Sequence, residues 1–391
     1  MAGVVVVMLA VALLVACGEE KPRVQPLTKS WEKTVPYQPI PAGLWSLKSE
    51  DCGSCHVQHY EEWKLSTHSH AWTDQQFQAE LQKESSPFLC INCHIPLQNQ
   101  QEYIVRGLVD GDIYQPARHK NPNFDPELQQ EGINCASCHV RNGAVIGPTG
   151  TEKAPHATVK DPDFLSESLC VGCHNATAVV TPTLACSFET GDEWQSGPYY
   201  GEKNCISCHM EERHREIVLG YGERLSHYHA FPGSGIPKTD TSVAQGLTGL
   251  DILPGSWNGS CRAGDTVSFD LTVVNAHAGH RLPTGDPERF FLFTFTLLDD
   301  HQDTLGFMQE RIGEEWQWHP EARKLHDNNL DPLEARMFVF SHAMPQSGTY
   351  SLHVHGEKHR LNQQSADYNH LGSTYPLFID IYDTTLVVHV R

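Results

Sequence analysis

Hydrophobic and polar positions divide this chain into four stretches of different texture. Residues 1–17, MAGVVVVMLAVALLVAC, are one unbroken apolar run, too short to span a bilayer comfortably and read as an export signal. Residues 18–45 contain KPRVQP and VPYQPIPAG; proline-rich and without period, they predict a tether. From 46 to 244 the pattern predicts short helices and loops. After about residue 245 come DTVSFDLTVVN, RFFLFTFTLLD, ARMFVFSHAM, GTYSLHVHG and DTTLVVHVR. These are alternating or continuous runs of β-formers, split by Gly, Pro and Asp, and they predict an antiparallel sandwich over 245–391. The expected class is α + β, with folded domains at 46–244 and 245–391.

Composition alters that picture in one respect. Only 39% of the 391 residues are hydrophobic, a low share for a chain long enough to bury an ordinary core. Something besides aliphatic side chains must fill part of the interior. The chain has 13 cysteines and 24 histidines; both types bind metals and cofactors, and neither is used in such numbers for packing alone. A formal net charge of −20 argues against nucleic acid and against an anionic membrane surface, and favours basic or cationic partners.

Ten of the cysteines fall into one pattern: CGSCH at 52–56, CINCH at 90–94, CASCH at 135–139, CVGCH at 170–174 and CISCH at 205–209. A disulfide across two intervening residues closes a tight ring that is easily reduced, a poor structural staple. Structural zinc takes four ligands from two such pairs and would waste the histidine after each second cysteine. Covalent haem uses every part of the motif: two thiols add to two vinyl groups, and the adjacent imidazole becomes the proximal iron ligand. The sequence therefore predicts five haem c groups. Their anchors are Cys52 and Cys55, Cys90 and Cys93, Cys135 and Cys138, Cys170 and Cys173, and Cys205 and Cys208. His56, His94, His139, His174 and His209 are the expected proximal ligands. The intervals between anchors, 38, 45, 35 and 35 residues, are too short to bury separate cores, so the haems themselves must form much of the interior.

Each iron has a second axial position. Beyond the signal only Met210, Met308, Met337 and Met344 remain, against 19 histidines outside the motifs, which favours bis-histidine ligation and low potentials. STHSHAW offers His68 or His70, with His59 near; ARHKNP offers His119 and KAPHATV offers His156. SHYHAFPG offers His227 or His229, and NAHAGHRLPTG offers His277 or His280. His280 falls in a loop between predicted strands, from which it could serve a haem of its own chain or of a neighbouring subunit.

CGSCHVQHYEEWKLSTHSHAW, EGINCASCHVRNG, SESLCVGCHN, EWQSGPYYGEKNCISCHM, HAFPG and GHRLPTG together resemble a group of exported multihaem c-type cytochromes. It is related to the nitrifiers' tetrahaem cytochrome, the octahaem hydroxylamine oxidoreductases and the pentahaem nitrite reductases. The resemblance runs from about Cys52 to the C-terminus. It implies His70, His156, His229 and His280 as distal ligands, with His119 completing the set. Two departures stand out: all five motifs end in His, where pentahaem nitrite reductases carry one CxxCK, and the chain is shorter.

The apolar run ends in LVAC, as in a lipoprotein signal whose cysteine, here Cys17, becomes the lipidated first residue. A plain secretory signal with an incidental cysteine is the other reading, and no Lys or Arg precedes the run. Either way the mature chain is expected outside the cytoplasm, in the periplasm or at the outer membrane or cell surface. It would touch membrane only through that lipid. Cys186 and Cys261 are left over, as a disulfide or as two thiols. His353 and His355 share one strand face, read as solvated rather than as a metal site.

The leading expectation is an electron carrier, ranked ahead of a catalyst, relaying electrons between redox partner proteins. An oxidoreductase acting on a small nitrogen or sulfur compound would need one open iron, and the haem assigned to His119 is the candidate. An oligomeric protomer of an extracellular haem filament is the third possibility.

Overall fold

The computed structural model describes residues 22–83, 87–181, 184–238, 246–318 and 320–391. The apolar run with Cys17 lies outside the described residues. The class is α + β: short helices interleaved with small hairpins come first, and long antiparallel strands follow.

Helices in the first part run five to eight residues where they matter most: Ser49–Gly53, Val57–Lys64, Gln75–Leu81, Phe88–His94, Cys135–His139, Glu167–His174 and Cys205–His209. Isolated helices of this length do not hold in water, so tertiary contacts must fix them. Local chemistry helps two of them start. In NCASCH and NCISCH the asparagine before the first cysteine caps the turn: Ser137 N–H donates to Asn134 Oδ1 at 3.0 Å, and Ser207 N–H to Asn204 Oδ1 at 3.0 Å. Around the helices lie β1 (Val24–Gln25), β2 (Tyr103–Val109), β3 (Pro116–Lys120), β4 (Val140–Arg141), β5 (Ala144–Gly147), β6 (Thr158–Lys160), β7 (Ala176–Thr181), β8 (Leu184–Phe188), β9 (Glu212–Glu216) and β10 (Glu223–His227). They form sheets of only two or three strands.

Residues 22–45 depart from the tether expected of them. β1 pairs with β2, Val35 bridges Leu97, and Gln38 is 3% exposed. Gln38 exchanges backbone–amide hydrogen bonds with Asn99 at 2.9 and 3.0 Å and accepts from Asn142 N–H at 2.7 Å. Proline content removes helical period, but the remaining donors are matched to partners 60 to 100 residues away, so the segment lies down as a strap.

The second part holds β11 (Leu250–Pro254), β12 (Ser260–Cys261), β13 (Thr266–Asn275), β14 (Phe290–Leu298), β15 (Thr304–Gln317), β16 (Arg323–Asp327), β17 (Ala335–Ala343), β18 (Gly348–His359) and β19 (Phe378–Val390). One sheet has the order β11-β13-β17; the other has β12-β19-β18-β14-β15-β16. Alternation along β13 and β14 turns Val267, Phe269, Leu271 and Val273 towards Phe291, Phe293, Phe295 and Leu297 in a shared core of 20 buried residues. Full burial of each such side chain stabilises by about 1.5–3 kcal/mol. In the first part the buried apolar clusters number only five and three residues, the physical form of the low hydrophobic content.

The loop between β13 and β14 ties the two parts together. Arg281 grips Asp327 with two hydrogen bonds of 2.8 and 2.7 Å, and Asn275 Nδ2 donates to the His280 carbonyl at 2.9 Å. On the other side Thr284 Oγ1 meets Thr190 at 2.7 Å and donates to Glu193 at 2.8 Å. No disulfide joins Cys186 to Cys261. Cys186, on β8, lies beside Cys93, and Cys261 is on β12 of the sandwich.

Candidate functional site

Each motif is a single helical turn, or the end of one, and the histidine closing it points its ring back into the protein. Hydrogen bonding then fixes which ring nitrogen is available. His56 Nδ1 donates to Ile217 O at 3.2 Å, His94 Nδ1 to Ala71 O at 2.6 Å, His139 Nδ1 to Ile146 O at 3.2 Å and His209 Nδ1 to Pro232 O at 2.7 Å. A carbonyl can only accept, so Nδ1 carries the proton and Nε2 keeps a lone pair, the tautomer of a metal ligand with its outer hydrogen bond in place. His229 and His280 follow the same rule, donating from Nδ1 to His227 O at 2.7 Å and to Arg281 O at 2.9 Å.

Four histidines of the second part use the other nitrogen. Nε2 of His277, His353, His355 and His359 each meets a carboxylate, at 2.9, 3.0, 2.9 and 2.7 Å. His353 and His355 are thus engaged with Asp383 and Asp380 of β19 across the sheet, as paired surface groups.

Four motif imidazoles lie near another imidazole. Ring centroids are 6.1 Å apart for His139 and His229, 6.4 Å for His209 and His280, 6.3 Å for His174 and His68, and 6.1 Å for His56 and His59, the last pair edge-on, with His59 Nε2 bonded to Ser226 Oγ at 2.7 Å. With metal–nitrogen bonds of about 2 Å on each side, two imidazoles sharing one metal ion sit roughly 6 Å apart. His280 comes from the same chain as His209. From STHSHAW it is His68 that faces a motif histidine; His70 is half-buried nearby, under the influence of Asp74 and Lys238. His156 is, with His139, an imidazole whose charge reaches His56. His119 stands on the β2–β3 hairpin with Nε2 3.4 Å from Arg106, away from the motif rings. Among the described residues no imidazole faces His94 in this way; Phe77 lies flat on that ring at 3.6 Å.

Burial lowers the proton affinity of seven of these imidazoles. It pushes His68 down to about 3 and His94, His174, His229 and His280 down to about 4, and it lowers His56 and His139 as well. A neutral imidazole is the form that binds metal.

The motif thiols also meet across motifs. Cys52 and Cys135 lie close enough to act on each other's titration, as do Cys93 and Cys173, and Cys170 and Cys205. Burial pushes Cys138 up to about 11, with Cys173 adding to the rise. Every one of these encounters joins two different motifs.

The residues present fit haem c on three counts: paired thiols with an adjoining imidazole, Nε2 lone pairs held ready by Nδ1 hydrogen bonds, and imidazoles set apart by the width of one metal ion. The sequence offered His68 beside His70, and only the resemblance chose His70; two histidines two apart carry no signal of which one turns inward. It also missed the carbonyl acceptors, which come from distant loops.

The family model "Cytochrome c554 and c-prime" matches residues 51–110, a stretch that spans the first two motifs. No curated protein matches the sequence. Among solved structures, a penta-heme cytochrome c552 from Thermochromatium tepidum superposes with a TM-score of 0.60 at 16% identity, covering 89% of this chain and 100% of that one. The CARDB domain of the PF1109 protein from Pyrococcus furiosus overlaps far less, with a TM-score of 0.19 at 12% identity over 36% of this chain and 87% of that one. A β-glucosidase from Listeria innocua gives 0.20 at 9% identity over 36% and 16%. From its five motifs and its overall shape, the chain has the fold of a multihaem c-type cytochrome.

Proposed function

We propose that this chain holds five haem c groups and serves as an electron relay outside the cytoplasm, anchored by a lipid on Cys17 and exchanging electrons with basic redox proteins. The observation that carries the reading is the meeting of thiols from different motifs. Because each thiol marks one edge of its haem, Cys52–Cys135, Cys93–Cys173 and Cys170–Cys205 bring edges of separate haems together. With Cys138 close to Cys173, the order is first, third, fourth, fifth, and the second joins at the fourth. One-electron iron chemistry is what the haems supply. The chain supplies attachment, axial ligands, spacing and exclusion of water.

On this reading His229 is the distal ligand for the third motif, His280 for the fifth, His68 for the fourth and His156 for the first. A pyridine haemochrome assay with intact-mass measurement tests the count; five haems are expected, and fewer would sink the proposal.

A second reading rests on one observation, that no imidazole faces His94 among the described residues. An open iron there would make the second motif, not the one assigned to His119, the place for catalysis on a small nitrogen or sulfur compound. Low-temperature EPR of the oxidised protein separates the two: a high-spin ferric signal favours catalysis, and five low-spin haems favour the relay.

A further inference from the structure

We propose that Arg289, Lys358 and Arg360, with Lys238 beside them, form a cradle for the propionate carboxylates of the haems carried by the fourth and fifth motifs. The inference deepens the relay reading and rests on it.

The cradle is an anomaly of charge. The chain carries 48 acidic against 28 basic residues, yet here cations crowd one another. Arg289 and Arg360 both act on Lys238; Arg360 acts on Arg289, and Arg289 on Lys358. Lys238 has Asp74 as its ion-pair partner. None of the other three has a carboxylate hydrogen-bonded to it among the described residues; Arg360 lies over the Tyr375 ring at 4.9 Å and within reach of Asp74, and the rest of their bonds go to backbone carbonyls. Arg289 Nη1 donates to Thr284 O at 3.1 Å and Lys358 Nζ to Leu247 O at 3.0 Å, while Arg360 Nη2 reaches Ile236 O and Pro237 O at 2.8 Å each. Asp286 is near enough to Arg289 to be felt, and the hydrogen bond between them is backbone to backbone, Arg289 N–H to Asp286 O at 3.1 Å.

Arg360 is 5% exposed, and its Nη1 is buried with no hydrogen-bond partner. A buried guanidinium nitrogen left bare is unfavourable, and an anion would complete it. The position identifies the anion. Arg289 is the leading charge acting on His174, and Lys358 acts on His280, which faces His209. Groups attached at the fourth and fifth motifs would each bring two carboxylates to this place, and a guanidinium binds a carboxylate in a matching fork. Carboxylates so held keep their charge, and cations beside an iron favour its reduced state.

The test replaces Arg360→Gln, Arg289→Gln and Lys358→Gln separately in the holoprotein, with Lys324→Gln in the sandwich as control. Haem content is measured first: fewer than five haems in the unaltered protein would overturn the relay reading itself. With five haems retained, spectroelectrochemical titration should show the midpoints of one or two haems falling in at least two of the variants. The expected size is tenfold or more in the reduction equilibrium, 59 mV for a one-electron couple. The shifted midpoints should also become pH-dependent near neutrality, as a carboxylate stripped of its cation takes up a proton on reduction; the control should do neither. Unchanged midpoints in all three variants would overturn the cradle and leave the relay standing. Nitrite and sulfite form the second arm: a saturable spectral change in the unaltered protein that is lost in Arg360→Gln would mean a free oxyanion fills the cradle, and the propionate assignment would fail.

Discussion

Hydrogen-bond polarity distinguishes two sets of histidines in this chain. In His139 and His229 Nδ1 gives its proton to a carbonyl and burial lowers the ring's proton affinity; in His353 and His355 Nε2 meets a carboxylate on the face of the sandwich. The contrast within STHSHAW supplies a prediction. His68→Ala should convert one haem to a high-spin ferric form, seen by EPR at low temperature, and His70→Ala should leave every haem low-spin. At this scale the sequence was legible where chemistry demands contiguity. Thiol, thiol and imidazole must be neighbours, and were found; the distal ligand needs only to arrive in space, and so His68 could not be told from His70.

Elements carry a different kind of information. β13 and β14 were readable from alternation alone, because one face meets a core and the other meets water. The strap at 22–45 was not, since its order comes from individual hydrogen bonds such as Gln38 with Asn99, which leave no period behind. Packing of the helix Gln75–Leu81 against the β13–β14 loop was equally hidden. Gln76 Nε2 donates there to Glu80 at 3.1 Å and to Glu288 at 3.3 Å. Burial, then Asp286 and Glu288, pushes Glu80 up to about 8; burial, then Asp286, pushes Glu288 up to about 7, with Lys238 opposing at Glu80 and Lys83 and Ser365 at Glu288. Unfolded, both titrate from 4.5, so between that pH and about 8 the native state holds protons that the unfolded chain has released. Stability from this contact is therefore full at acid pH and declines as pH rises through 7 to 8. Glu80→Gln should flatten the decline, read as urea midpoints at pH 5 and pH 8 that lie closer together than in the unaltered protein.

For the whole molecule the thiol contacts define a junction. The fourth motif touches the second through Cys173 and the fifth through Cys170, and lies near the third. Replacing Cys170 and Cys173 by Ala should leave four haems and divide them: after a pulse of reductant, the first and third should equilibrate with each other but not with the fifth. Stopped-flow absorbance with a low-potential donor would show the split as a slow phase. The net charge of −20 makes a second prediction at this scale, since electron exchange with a basic partner should slow as salt rises and the screening length falls from about 10 Å at 0.1 M ionic strength. The charge balance was legible in composition; the cationic cradle inside it was not, because Lys238, Arg289, Lys358 and Arg360 are spread over more than 120 positions.

The grip of Arg281 on Asp327 also has a meaning in time. His209 is made with the first part of the chain, but His280 is held in place by a loop whose clamp, Asp327, is made 47 residues later. The fifth iron site can be finished only after most of the sandwich has arrived. A chain cut short in translation would carry its haem there on one ligand, and the reactive iron so exposed would mark it as incomplete.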